Sequence, residues 1–334
     1  MGQSNSNINY IDNGGANAQK GFNYQDALAM LIIITNFSKN DFCIYLECRD
    51  DLEVDLTEQK IFIQVKSTKQ SVATLIRQNK KRDGTYNKST LYKNLNKSCD
   101  DKLNKYKIVT TSYPEGKSTI KGEIFNELYQ YTDEQKKLIV ETLLQQGLKK
   151  EELEQKLKNS YIYVSPFDNN LDVALTYLLG VMAEEGISVD NDRGRLLLCE
   201  LLTDIHKKAE KKIITPSDIE KKKLKKDELI KLAKVEKCYK YMEEITTKLD
   251  NAGIINFDDK IRINEYIRVV DLKHKSEYKI VDDSIIDSEL SGNPEQVIKV
   301  LHDKLISLNI NSNLLYAILI DKYVMLAFYK EKIN

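Results

Sequence analysis

An α/β fold, a mixed sheet flanked by helices, is predicted for residues 14–219, and three observations carry that expectation. Short apolar runs at 42–47, 52–57, 61–67, 106–111 and 161–164 are bounded by turn residues and read as strands. Helical patterns lie before, between and after them. The runs at 52–57 and 61–67 are separated so narrowly that they read as one hairpin through residues 58–60.

Residues 1–13 are polar and read as a flexible N-terminus. A helix is expected from about residue 19 to residue 37. Its apolar residues (Ala27, Leu28, Met30, Leu31, Ile32, Ile33, Ile34) fall on nearly every side, so it should be buried. Between the strands at 61–67 and 106–111 lies a basic stretch with a helix around 89–98. From residue 131 helices dominate. Thr132-Asp133-Glu134-Gln135 is a capping-box pattern, and Gly147 reads as the stop of that helix. Further helices are expected at 171–185 and 193–208, and Pro216 suits the first turn of another.

Beyond residue 220 a lysine run leads into a second, small α+β domain, 220–334. A helix to about residue 249 is followed by strands near 260–272 and a helix at 295–308. The apolar runs 314–320 and 323–329 straddle Asp321-Lys322 and read as a terminal β-hairpin.

At 334 residues the chain is long enough for two cores. Lys plus Arg and Asp plus Glu number 51 each, so whole-chain charge argues neither for nor against nucleic acid. Local charge is more telling. Residues 77–107 hold Arg77, Lys80, Lys81, Arg82, Lys88, Lys93, Lys97, Lys102, Lys105 and Lys107 against Asp83, Asp100 and Asp101, and residues 207–226 are similarly basic. Phosphate neutralisation supplies most non-specific DNA affinity, so Arg77, Lys80, Lys81 and Arg82 are candidate DNA contacts.

Five scattered cysteines without a CxxC pair, and three distant histidines, argue against a zinc site or a Cys/His catalytic pair. An odd cysteine count without a signal peptide reads as a reducing cytoplasm. The longest apolar run, 27–35, is too short to span a bilayer, so no membrane is expected. His206 reads as a cation capping a helix C-terminus and His302 as helix surface. The Asp190-Asn191-Asp192 loop lacks the glutamate of a calcium site.

The chemistry concentrates between Glu47 and Lys66. Strand alternation places Asp51, Glu53 and Asp55 on one face, and Gln64 with Lys66 on one face of the next strand. Pairing through 58–60 puts Asp51 about level with Lys66 and leaves the other acids nearer the turn. Cleaving a phosphodiester builds negative charge that Mg²⁺ can stabilise. Mg²⁺ takes hard oxygen ligands. Asp51, Gln64 and the Val65 carbonyl fit that requirement, with Glu47 as a second carboxylate. Lys66 would orient or deprotonate the attacking water. The bland alternative is a surface hairpin with solvated charges. It loses ground because the apolar 61–67 run reads as a central strand, where Gln and Lys need partners.

Gly21-Phe22-Asn23-Tyr24-Gln25, Glu47, Asp50-Asp51-Leu52 and Gln64-Val65-Lys66 together resemble the double-stranded DNA endonuclease domain of CBASS antiphage effectors, within the PD-(D/E)XK superfamily. The resemblance covers residues 14–219. It implies a restriction-endonuclease-like fold with a helical extension, in which Asp51, Gln64 and Lys66 match the core motif. Glu47 matches an upstream acid, and Gln25 matches an amide of the opening helix that lines the site. Gln64 stands where Asp or Glu is usual, which lowers the site's negative charge. The implied activity is Mg²⁺-dependent cleavage of double-stranded DNA, with Mn²⁺ able to substitute. The shortness of residues 220–334 is more similar to the nuclease subunit of Lamassu defence systems. That likeness implies an SMC-like ATPase and a small accessory subunit as partners, with the C-terminal part serving oligomerisation or partner binding. The alternative is a catalytically inactive DNA-binding or scaffold subunit with a degenerate nuclease fold.

Overall fold

The computed structural model describes residues 14–37, 39, 42–56, 58–97, 103–112, 119–187, 191–224 and 236–333. The expectation for residues 1–13 lies outside them. The chain divides into two compact units: Met1–Leu178 with Leu202–Lys226, and Leu179–Leu201 with Asp227–Asn334. The boundary expected near residue 220 therefore misses one exchange, because residues 179–201 go with the C-terminal part.

The first unit is built on an eight-stranded mixed sheet. Its strands are β1 (Cys43–Leu46), β2 (Leu52–Leu56), β3 (Gln59–Lys66), β4 (Lys105–Thr110), β5 (Thr119–Lys121), β6 (Glu127–Gln130), β7 (Ser160–Val164) and β8 (Lys223–Leu224). The spatial order is β5-β6-β7-β4-β3-β2-β1-β8. β3, β4 and β7 run parallel, and the other pairings are antiparallel. β5, β6 and β8 escaped the sequence reading because each is too short to show an alternation.

The helices up to residue 209 are α1 (Gly14–Asn36), α2 (Val72–Ile76), α3 (Thr90–Leu95), α4 (Asp133–Gln145), α5 (Lys150–Lys158), α6 (Leu171–Glu184) and α7 (Asn191–Ala209), with residues 179–184 of α6 and 191–201 of α7 counted in the second unit. The unbroken run 26–34 of α1 is buried, as its all-round apolar character requires. Helices α2 to α5 cover the sheet face carrying Phe62, Tyr106, Ile108 and Ile162, with Leu75, Leu91, Leu95, Ile139, Leu143 and Leu157 between. Thr132 and Gln135 close the capping box of α4, and Gly147 adopts φ 100°, the left-handed stop that favours glycine.

The hairpin differs from expectation in register. Leu56 pairs with Gln59, so the turn is tighter than a 58–60 loop, and Leu52 pairs with Ile63. One residue before β2, Asp51 therefore comes opposite Gln64 rather than Lys66.

Every named element of the second unit is a helix, which corrects the α+β expectation. It holds α8 (Glu236–Asn251), α9 (Phe257–Ile267), α10 (Val270–Lys273), α11 (Lys275–Asp282), α12 (Pro294–Leu305) and α13 (Ser312–Ile333). The expected strands at 260–272 are α9 and α10, and the expected terminal hairpin is the single helix α13. The physical reason is burial on all sides. Leu315, Ala317, Ile318, Leu319 and Ile320 are all fully buried, so the run carries no period to separate helix from strand. His302, expected on a surface, is buried instead. It stacks on Tyr316 with ring centroids 3.9 Å apart, and its Nε2 lies 2.9 Å from Ser312 Oγ.

Because Ile318 sits in the middle of this core, Ile318→Ala should cost about 2–5 kcal/mol of stability, read from the urea midpoint of the full chain.

Candidate active site

The site forms where β2 begins and β3 ends. Beyond the Leu52–Ile63 pair the ladder of backbone bonds gives way to a side chain. Asp51 Oδ2 accepts from the Val65 amide at 2.7 Å and also from Gln64 Nε2. One carboxylate oxygen thus satisfies a backbone donor of β3 and fixes the Gln64 side chain. Lys66 follows on the same strand face as Gln64, and its ammonium has no ion-pair partner among the described residues.

Glu47 is held from several directions. Its backbone N–H donates to the Asp51 carbonyl at 3.0 Å, closing a tight loop over residues 47–51. The loop requires φ 49° at Glu47, a left-handed conformation unusual for a residue with a Cβ. The ammonium of the buried Lys222 donates to the Glu47 carbonyl at 2.8 Å and to the Ala209 carbonyl at 2.9 Å. Gln25 Nε2 donates to Glu47 Oε1 and, at 3.4 Å, to the Asp51 carbonyl. Burial pushes the Glu47 carboxyl above its usual range, and Asp51 and Asp26 add to the rise against Gln25 and Lys222.

The remaining acids of the cluster are accounted for. Glu53 is fully buried and bound by Arg49, with Lys60 3.7 Å away. Asp55 pairs with Lys60 at 2.9 Å. Asp50 turns the other way, where Asn94 Nδ2 donates to it at 2.7 Å and to the Phe62 carbonyl at 3.1 Å. Lys97 lies 3.5 Å from the same carboxylate. Burial outweighs both partners and pushes Asp50 up to about 6.

A cleft of about 760 Å³ opens over these groups, lined by Glu47, Asp50, Asp51, Gln64 and Lys66 together with Lys81, Tyr86, Lys88, Lys93 and Lys97. Of the candidate DNA contacts Arg77, Lys80, Lys81 and Arg82, Lys81 lines it. Arg77 caps α2, and Lys80 and Arg82 are exposed outside the lining. They belong to a small hairpin. Lys81 N–H donates to the Thr85 carbonyl at 2.7 Å, Gly84 N–H to the Lys81 carbonyl at 3.1 Å, and Gly84 takes φ 83°. That is a three-residue turn closed by a left-handed glycine. Gln25 lies behind Glu47, outside this lining and within hydrogen-bond reach of it.

Sequence reasoning missed Asn94, Lys222 and the separate role of Asp50, since their partners lie far along the chain. His206, read from the sequence as a cation at a helix C-terminus, does lie in the last turn of α7, and its Nε2 is 2.7 Å from Asp26 Oδ2, a partner the sequence did not signal. Asp26 is itself raised by burial, against the pull of His206. Among the described residues no group of three or more His, Cys, Asp or Glu is arranged around a metal, and no helix is long and apolar enough to cross a membrane.

The mixed sheet, the acid before β2 and Gln64-x-Lys66 on β3 define a restriction-endonuclease-like nuclease. Residues 13–165 match the family model described as "Cap4, dsDNA endonuclease domain". Over 301 residues the chain is 33% identical to Lamassu protein LmuA of Bacillus sp., covering 89% of this chain and 92% of that protein. The chain belongs to the LmuA family. No solved structure matches it.

The raised Asp50 carries a sign for stability. Its folded pKa, about 6, lies above the ordinary 3.8, so the folded state holds the proton more tightly. That contribution is present below about pH 4 and is lost as pH rises through about 6. Asp50→Asn should remove the step, gaining up to about 3 kcal/mol on wild type at pH 8 relative to pH 4, as measured by urea unfolding at both pH values.

Proposed function

We propose that this chain cuts double-stranded DNA by divalent-cation-dependent hydrolysis, as an effector of antiphage defence, with Mg²⁺ as the ion and Mn²⁺ able to substitute. One observation carries the reading. Asp51, Gln64, the Val65 backbone and Lys66 meet at one end of β3, in a cleft that Lys81, Lys88, Lys93 and Lys97 also line.

The donor set suits a hard cation. Asp51 has a carboxylate oxygen not engaged by β3, the Val65 carbonyl follows Gln64, and Glu47 stands beside them. Gln64 turns its amide nitrogen to Asp51. A half-turn about the terminal bond exchanges that nitrogen for oxygen. Burial raises the Glu47 carboxyl and its neighbour Asp51 adds to the rise, so a cation bound between them would relieve both. When bound, the ion supplies polarisation of the scissile phosphoryl oxygen and neutralises charge building on it.

The chain's own groups do the rest. Lys66 orients the attacking water or takes its proton, and afterwards faces the charge that develops on the phosphate. Asp51 holds Gln64 and the β3 backbone in place for that approach. Lys81 and Lys93 have no ion-pair partner among the described residues and are available to phosphates, whereas Lys97 is occupied by Asp50 and Lys88 donates to the Gln146 carbonyl. The helical second unit serves oligomerisation or binding of an SMC-like ATPase and a small accessory subunit, and through them the nuclease is held silent until infection.

Asp51→Ala and Lys66→Ala should each lower plasmid cleavage at least about a hundredfold while leaving the far-UV spectrum unchanged. EDTA should abolish wild-type cleavage and Mg²⁺ restore it; undiminished cutting by both variants would overturn the assignment. Because the Glu47 carboxyl must lose its proton to hold a cation, the Mg²⁺-dependent thermal shift should grow with pH between 5 and 8. In Glu47→Gln that growth should flatten.

A further inference from the structure

A second cleft, of about 850 Å³, also has Glu47 in its wall. Gln25, Asp26, His206, Lys222 and residues 209–214 line the remainder with Phe22. Phe22 lies one turn before Gln25 on α1, so the two side chains share a helix face. Two apolar side chains stand unusually open at this cleft: Phe22 is 55% exposed and Ile214 is 86% exposed.

Ile214 is not a loose loop residue. Asp218 Oδ2 accepts from the Ile214 N–H at 3.0 Å and from the Thr215 N–H at 2.7 Å, and these bonds with Lys221 hold the Asp218 carboxyl far below its usual range. A loop pinned this firmly, yet presenting its isoleucine to solvent, keeps apolar surface in reserve for a ligand. Lys211 and Lys212 line the same cleft, both exposed and without an ion-pair partner among the described residues. Of the acids in this lining, Asp26 is paired with His206, Glu47 accepts from Gln25, and Glu210 is exposed beside Lys211.

We propose that this second cleft receives the duplex on one side of the cut. Lys211 and Lys212 lie on neighbouring phosphates, and Phe22 and Ile214 press on the sugars and minor-groove edge. Free lysines neutralise phosphate and release counterions, and apolar side chains of this kind are what minor-groove contacts use. Continuity selects DNA as the occupant. The inference rests on the nuclease reading of the first cleft, and since Glu47 lies in both walls, a duplex seated over Asp51 and Gln64 passes directly into the second. The stretch lies beyond residue 165, outside the part of the chain that matches the endonuclease family model.

The sequence contains no tryptophan, so Phe22→Trp installs a single reporter. In the full chain carrying Asp51→Asn, so that nothing is cut, a 20-base-pair duplex should quench that tryptophan. Lys211→Ala with Lys212→Ala should weaken duplex binding about tenfold and reduce the slope of log affinity against log salt by about two. An unquenched tryptophan, together with unchanged affinity and slope in the double-lysine variant, would overturn the proposal. A cleavage assay of Asp51→Ala tells the two readings apart. If cutting is lost there while the tryptophan stays unquenched, the second cleft alone is wrong; if cutting persists, the first-cleft assignment fails, and the quenching still reports on the second.

Discussion

Asp51 accepts the Val65 amide where the β2–β3 ladder runs out, and the rest of the site hangs on that bond. A backbone N–H at the end of a buried strand needs an acceptor, and an unpaired one costs as much as a lost hydrogen bond. Using a carboxylate for the purpose sets an acid at a fixed distance from β3 and orders Gln64 with its neighbouring oxygen-bearing groups. The same carboxylate therefore serves fold and chemistry. Its position depends in turn on the 47–51 loop, which closes only because Glu47 accepts a left-handed backbone.

Charge is sorted around this point rather than merely accumulated. Glu53 and Asp55, on the same strand, are neutralised by Arg49 and Lys60. Asp50 is buried toward Asn94 and holds its proton into the mildly acidic range. Among the described residues Asp51 and Glu47 have no ion-pair partner, and burial, with Asp51 adding to it, raises the Glu47 carboxyl. Lys81, Lys88, Lys93 and Lys97 line the same cleft as these acids. A cation and a polyanion are the two partners such an arrangement accommodates together.

Much of the first unit was legible because alternation and capping are local signals. The runs at 42–47, 52–57 and 61–67 became β1, β2 and β3, and Thr132 with Gln135 marked the start of α4. The acids of the site were visible for the same reason, since their spacing on one strand is readable from neighbours alone. What stayed hidden depends on distant partners. Asn94 reaches Asp50 across 44 residues, and neither letter signals the other. The register slipped because a turn one residue tighter moves Asp51 from Lys66 to Gln64. Residues 314–320 failed differently: a helix buried on every side writes the same unbroken apolar run as a buried strand, and only packing tells them apart.

The ammonium of Lys222 reaches the Glu47 carbonyl across 175 residues of chain. Synthesis from the N-terminus delivers the acids, Gln64 and Lys66 early, but the clamp that steadies Glu47 emerges only after β8's neighbourhood has been translated. Contacts of such long sequence separation form late, because the loop they close must first be ordered. A ribosome-bound chain would thus carry Asp51, Gln64 and Lys66 through the 156 residues that separate Lys66 from Lys222 before the clamp on Glu47 could close, a delay built into the order of the chain.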